Sequence, residues 1–174
     1  MKSATEHEAV RAIAIQGALF CGLSDELIAL LLATATVRHA QQGSVLFHQG
    51  DEPAQLLQVT SGLVRMTQIN VEGVQTTLRL MRPGELLGCV AVVQQFPYPA
   101  TATAVEDSVA LLWRSPQFLG LLKQHQEIMD NVLNIVGART RDMVQRLGDM
   151  SAKNVERRVA AALLRLAGQA GTTT

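Results

Sequence analysis

Cysteine is nearly absent: Cys21 and Cys89 are the two in 174 residues, far apart and in no Cys-x-x-Cys pair. That spacing speaks against a disulfide framework and a zinc knuckle, and buried free thiols are the plain reading of both. No segment approaches the roughly 18 uninterrupted apolar residues that a spanning helix needs. The start, MKSATEHEAVRA, carries acids and has no apolar h-region, so it does not read as a signal peptide, and a cytoplasmic protein without membrane contact is expected. Net charge is lacking too. The 15 basic and 15 acidic side chains cancel, which is a poor basis for gripping phosphates by electrostatics alone. The balance is uneven, however, because residues 138–174 carry 7 of the basic and 3 of the acidic groups, so any face turned toward nucleic acid is at the C-terminal end. Catalytic signatures are missing as well: there is no Ser-His-Asp arrangement, no Gly-x-Ser-x-Gly and no phosphate-binding P-loop, and an enzyme is not expected.

What is present is a globular composition, 48% hydrophobic and 17% charged, in a chain long enough for one domain and an appendage. Helix is expected from about Glu8 to Ala18, then a break at Cys21-Gly22, then a second helix capped by Ser24. From about Thr36 to Trp113 short β-type runs alternate with turn signals at Gln42-Gly43, Gln49-Gly50-Asp51, Ser61-Gly62, Glu72-Gly73 and Pro83-Gly84. Turns about every ten residues argue for short antiparallel strands in a sandwich or barrel. Helix resumes at Ser115-Pro116, read as a cap followed by proline at the first helical position.

Within that helical region Met129, Leu133, Val136, Thr140, Met143, Leu147 and Met150 recur at alternating spacings of 4 and 3, a heptad seam. Ile128, Val132 and Ile135 form a second short stripe. A helix with two apolar stripes buries two faces, which points to one face on the β body and the other on the same helix of a twin chain, in a parallel homodimer; packing of the seam inside a monomer is the alternative. The last pattern, from Ser151 through Leu166, is amphipathic and is followed by GQAGTTT.

The order of parts, together with Gly43-x-x-Leu46-Phe47-x-x-Gly50-Asp51, Val59-x-Ser61-Gly62-x-Val64-Arg65, Pro83-Gly84-Glu85-x-x-Gly88, Pro97-Tyr98-Pro99-Ala100-Thr101-Ala102 and Lys153-Asn154-x-x-x-Arg158-Val159-Ala160, resembles the CRP/FNR family of bacterial transcription regulators. The resemblance implies an α+β fold: an antiparallel, jelly-roll-like β-roll of the cyclic-nucleotide-binding type, flanked by short helices and followed by a long C-terminal dimerisation helix. It divides the chain into a sensor domain at 1–125, a dimerisation helix at 126–150, and, at 151–174, the first helix of a helix-turn-helix DNA-binding domain whose remainder is not in the sequence. Promoter DNA is then a partner of the full-length regulator and not of these 174 residues alone.

In family members that bind cyclic nucleotides, a glutamate after glycine takes the ribose hydroxyl, and an arginine followed by a small residue takes the phosphate. Here Cys89 follows Gly88, Pro99-Ala100 stand near the arginine position, and no lysine or arginine occurs from Pro83 to Trp113. Cyclic AMP is therefore not the expected effector. The expected pocket comprises Gly88, Cys89, Pro99, Ala100 and Thr101, with Thr140, Met143 and Val144 from the long helix, an apolar crevice for a small molecule or a gas-binding cofactor. The Pro-Tyr-Pro-Ala-Thr-Ala run is similar to the oxygen- and nitric-oxide-responsive branches. An iron–sulfur cluster wants several thiolates and is not expected. Haem stays open, with His7, His39, His48, His125 and Cys89 as ligand candidates, although surface histidines and an inert thiol explain these residues equally. Cys89 as a redox switch needs a nearby cation that the local sequence does not supply. Two rivals stand beside the regulator. One is a stand-alone module of the cyclic-nucleotide-binding type acting on a protein partner. The other is a cupin metalloenzyme, for which His48 lacks a second histidine.

Overall fold

The computed structural model describes residues 2–145. It opens with helix α1 (Lys2–Ala14) and a 3-10 turn (Ala18–Phe20). The first helix thus starts earlier and stops sooner than its sequence pattern indicates. Gly17 supplies the reason for the early stop. A Cβ there would lie 2.0 Å from Nε2 of Gln58 and 2.7 Å from the Gly84 carbonyl, so the chain passes too close to the β body to continue as helix. Helix α2 (Asp25–Thr34) begins as expected: Ser24 Oγ accepts from the Leu27 amide at 3.3 Å, and Asp25 and Glu26 occupy the first turn, where the helix dipole favours acids.

Eight strands follow: β1 (Thr36–Ala40), β2 (Val45–Phe47), β3 (Gln55–Ser61), β4 (Val64–Ile69), β5 (Gln75–Met81), β6 (Leu86–Leu87), β7 (Thr101–Ala104) and β8 (Ser108–Arg114). They form two antiparallel four-stranded sheets, ordered β1-β8-β3-β6 and β2-β7-β4-β5. These are the short antiparallel strands expected from the turn spacing, arranged in the roll that the family resemblance implies. Between β6 and β7 lies a short helix, α3 (Cys89–Gln94), that the sequence reading did not separate from the strands. Its Val-rich run has the composition of a strand; the left-handed backbone of Gly88 turns the chain into helix instead.

The two sheets share a core to which every strand contributes, among others Leu46 and Phe47 from β2, Leu57 and Val59 from β3, Ala102 and Ala104 from β7, and Ala110 from β8. Strands β3 and β8 are buried on both faces. Leu57 and Ala110 point into the roll, while fully buried Leu56 and Trp113 alternate with them on the opposite side. Trp113 donates its indole N–H to the Leu31 carbonyl at 2.9 Å, and its ring lies against Phe20 and Phe118 with centroids 6.4 and 6.1 Å away. One aromatic residue thus closes the helical layer over the sheet, which is why β8 reads as a nearly continuous apolar run.

Helix α4 (Ser115–Gln124) starts one residue earlier than the cap assignment placed it: Arg114 is the N-cap and Ser115 is already helical. The serine hydroxyl is turned to Gln95, whose amide donates to it at 3.4 Å. After His125 the residues 126–145 form helix α5. The chain divides into two compact units, Met1–Ile135 and Val136–Thr174. In the first, Ile128 and Val132 are buried, and Asn131 donates through Nδ2 to the carbonyls of Leu19 and Cys21, each at 2.9 Å. The start of α5 is therefore fastened to the N-terminal 3-10 turn. In the same turns Leu133 is 57% exposed, while Met129 of the seam and Ile135 of the second stripe are both half-buried. In the second unit Thr140 and Met143, further along the seam, are exposed. Leu147 and Met150, and the whole 151–174 segment, lie outside the described residues.

Candidate functional site

The connection from β6 through α3 to β7 carries most of the residues singled out for the effector pocket. Gly88 caps α3 at φ 75°, a conformation that an L side chain rarely adopts. A Cβ at this position would approach Tyr98 Cε1 to 3.0 Å and the Gln55 carbonyl to 3.2 Å, so glycine is required both for the turn and for the close approach. Cys89 follows and is completely buried. At the far end of the connection Ala100 is buried, Pro99 exposed and Thr101 half-buried, with Thr101 Oγ1 accepting from the Gln49 amide at 2.9 Å.

Tyr98 joins the two ends. Its ring packs on the Gly88 turn and stacks on Phe47 with centroids 4.0 Å apart and planes 16° from parallel. Its hydroxyl donates to the Gln55 carbonyl and accepts from the Gln55 amide at 3.1 Å. Its own backbone amide donates to the Asp51 carbonyl, and its carbonyl accepts from Gly50. Burial raises the phenol pKa above its usual value; the Asp51 carboxylate adds to this, while the hydrogen bond with Gln55 and the charge of Arg38 work against it. Sequence reasoning quoted Tyr98 within the Pro97–Ala102 run but gave it no place in the pocket, although a single tyrosine between two prolines was an available signal.

The Pro-Gly-Glu turn is also self-contained. Glu85 receives Arg79 Nη2 at 2.6 Å on one carboxylate oxygen and the Arg82 amide at 2.7 Å on the other. Asp51 plays the turn role expected of it, accepting from the His48 amide at 3.0 Å. Thr140, Met143 and Val144 belong to the second compact unit, where the Thr140 hydroxyl donates to the Val136 carbonyl at 3.0 Å and both apolar side chains are about two-thirds exposed, at 65% and 64%. Of the haem-ligand candidates, His7 lies in α1, His39 and His48 are exposed, His125 is half-buried after α4, and Cys89 is buried. Among the described residues no three His, Cys, Asp or Glu side chains gather as a metal site would require. No helix of the described residues is long and apolar enough to cross a membrane.

Two packed antiparallel sheets with a helix-bearing connection before the seventh strand define a sensor domain of the cyclic-nucleotide-binding type. Residues 37–125 match the cyclic nucleotide-binding domain family, and the chain belongs to it. It is 34% identical over 151 residues to the cyclic AMP receptor protein of Thermus thermophilus, covering 87% of this chain and 70% of that protein. With the CRP-like cAMP-activated global transcriptional regulator of Mycobacterium tuberculosis the identity is 24% over 160 residues, covering 92% and 71%. The crystal structure of the Thermus thermophilus catabolite activator protein superposes with a TM-score of 0.73 at 33% identity, covering 88% of this chain and 72% of that one. These relatives are bacterial regulators, and the chain is a regulatory domain of the CRP-like kind rather than an enzyme.

Proposed function

We propose that the chain is the sensor and dimerisation portion of a cytoplasmic CRP/FNR-type transcription regulator, nearest in character to the oxygen- and nitric-oxide-responsive branches, whose effector is not cyclic AMP. The observation that carries the effector assignment is the chemistry of the connection after Pro83-Gly84-Glu85. A phosphodiester anion drawn out of water needs a cation or several amide donors to offset its desolvation. Here a completely buried thiol follows Gly88, proline and alanine occupy 99 and 100, and no cationic side chain occurs between Pro83 and Trp113. The names of the relatives concern cyclic AMP; this chain keeps their scaffold and lacks the anchors.

The effector seat is assigned to Gly88, Cys89, Pro99, Ala100 and Thr101, and suits a small uncharged molecule or a gas-binding cofactor. Dimerisation is assigned to the seam Met129, Leu133, Val136, Thr140, Met143, Leu147 and Met150. The exposure of Leu133 beside buried Ile128 and Val132 supports a second apolar face reserved for a twin chain. In the intact regulator, an effector that binds one dimer arrangement more tightly than another shifts the population and so moves the DNA-binding heads. Calorimetry with about 1 mM cyclic AMP is expected to show no heat of binding; a dissociation constant of about 10 µM would refute the assignment.

A further inference from the structure

A cavity lies at the end of the roll where β3 begins and β8 ends, with Gln95 of the β6–β7 connection on its wall. It has a volume of about 690 Å³, within the range of small-molecule sites. Register locates it. Thr36 pairs with Leu112 and Gln55 with Arg114, two steps along the same sheet face that carries Val59 and Ala110 into the core. The cavity is therefore a mouth at one end of the β1-β8-β3-β6 sheet, floored by Leu112, which itself packs on the core cluster, and flanked by apolar Pro53, Ala54 and Pro116.

Two opposite charges line this mouth, Arg114 and Glu52, both exposed. Among the described residues neither side chain has an ion-pair or hydrogen-bond partner, and they do not pair with each other. Beside them stand two side-chain amides that already donate within the chain. Gln95 Nε2 donates to the Val92 carbonyl at 2.5 Å and to Ser115 Oγ at 3.4 Å, and Gln55 Nε2 donates to the Leu46 carbonyl at 3.4 Å. Their carbonyl oxygens remain as acceptors, and the Ser115 hydroxyl, having accepted from Gln95, keeps a proton to donate. Gln95, at φ 53°, is the left-handed C-cap of α3, its backbone amide donating to the Ala91 carbonyl, and this turn sets its side chain against Ser115.

We propose that this mouth binds an apolar α-amino acid. A carboxylate meets the fork-shaped guanidinium of Arg114 and the Ser115 hydroxyl; an ammonium meets Glu52 and the two amide carbonyls; an aliphatic or aromatic side chain lies on Leu112 and the prolines. The site adjoins the effector seat through Gln55 and Gln95 but does not depend on that assignment.

The test is ligand-observed NMR and calorimetry on the whole chain with L-leucine and L-phenylalanine, alongside N-acetyl-L-leucine, which lacks the ammonium, and L-leucinamide, which lacks the carboxylate. At least one of the two amino acids is expected to bind saturably, and each blocked analogue of leucine to bind at least about tenfold more weakly than its parent probe, or not at all. Arg114→Gln and Glu52→Gln change exposed side chains without partners; each should weaken the amino acid about tenfold while leaving the melting temperature in place. Absence of saturable binding by both amino acids at about 10 mM overturns the proposal. So does binding of the blocked analogues as tight as that of the parent, or amino acid binding that survives in both folded variants.

Discussion

Tyr98→Phe removes one oxygen and leaves the ring stacked on Phe47 and seated on Gly88. What is lost is the pair of hydrogen bonds between the hydroxyl and the backbone of Gln55, one donated and one accepted. Each is worth about 1 kcal/mol net, and water reaches half-buried Gln55 only in part, so the expected loss in stability is about 2–3 kcal/mol. The same residue makes stability depend on alkaline pH, and the sign follows from its environment. Burial holds the phenol neutral, so its folded pKa lies above the unfolded value of about 10. The stabilising contribution is complete below pH 10 and is lost as pH rises toward the folded value, at about 1.4 kcal/mol per pH unit. Urea unfolding from pH 8 to 11 should therefore show the wild type declining relative to Tyr98→Phe above pH 10, with the difference between them shrinking. Because Tyr98 is the one tyrosine in the chain, near-ultraviolet phenolate titration reads its pKa directly. A phenol that titrates at 10 in the folded protein, or a variant as stable as the parent at pH 8, would refute the account of how the β6–β7 connection is held.

Gly17→Ala should destabilise by about 2–3 kcal/mol, a drop of several degrees in melting temperature, since its Cβ would collide with Gln58 and the Gly84 carbonyl; an unchanged melt would show that α1 does not end against that turn. Asn131→Ala should cost about 2 kcal/mol through loss of its bonds to Leu19 and Cys21, measured by denaturant midpoint, with exposed Asn134→Ala as a neutral control. If the seam is a dimer interface, Met143→Glu lowers the dimer fraction in light scattering well below that of Gln145→Glu; equal fractions would show that the seam is misassigned. A gel-shift with the 174-residue chain should show no sequence-specific binding, and tight specific binding at moderate salt would contradict the reading that the base-reading helix is elsewhere.

The turns were legible because glycine announces them. Gly43, Gly50, Gly62, Gly73 and Gly84 all fall between strands, and all five have positive φ. The Ser24 cap was legible as well, from a serine standing just before an apolar helical pattern. Features that depend on long-range contact were not legible. The end of α1 is set by Gln58, 41 positions beyond Gly17, a buried amide that bridges the Ala14 and Gly84 carbonyls. Helix α3 has the β-branched composition of a strand, and local propensity lost to the backbone imposed at Gly88. The mouth cavity could not be foreseen, since Glu52, Gln95 and Arg114 are unremarkable surface residues until the register brings them together.

How an effector acts on this scaffold depends on whether it leaves Tyr98 where it is. The connection is already closed on itself: Gly88 and Phe47 hold the ring, Gln55 holds the hydroxyl, and Cys89 and Ala100 are buried on either side. A ligand that displaces the ring must first break these contacts, and the 2–3 kcal/mol assigned to the hydroxyl alone lowers its affinity by roughly 30- to 150-fold. Tyr98→Phe removes that part of the cost without emptying the space. For an effector that displaces the ring, the variant binds more tightly by up to that factor; for one that reads the connection from outside, affinity is unchanged. An effector whose binding is weakened by Tyr98→Phe would have to contact the hydroxyl itself, and the closed arrangement around Gln55 would then not persist in the bound state.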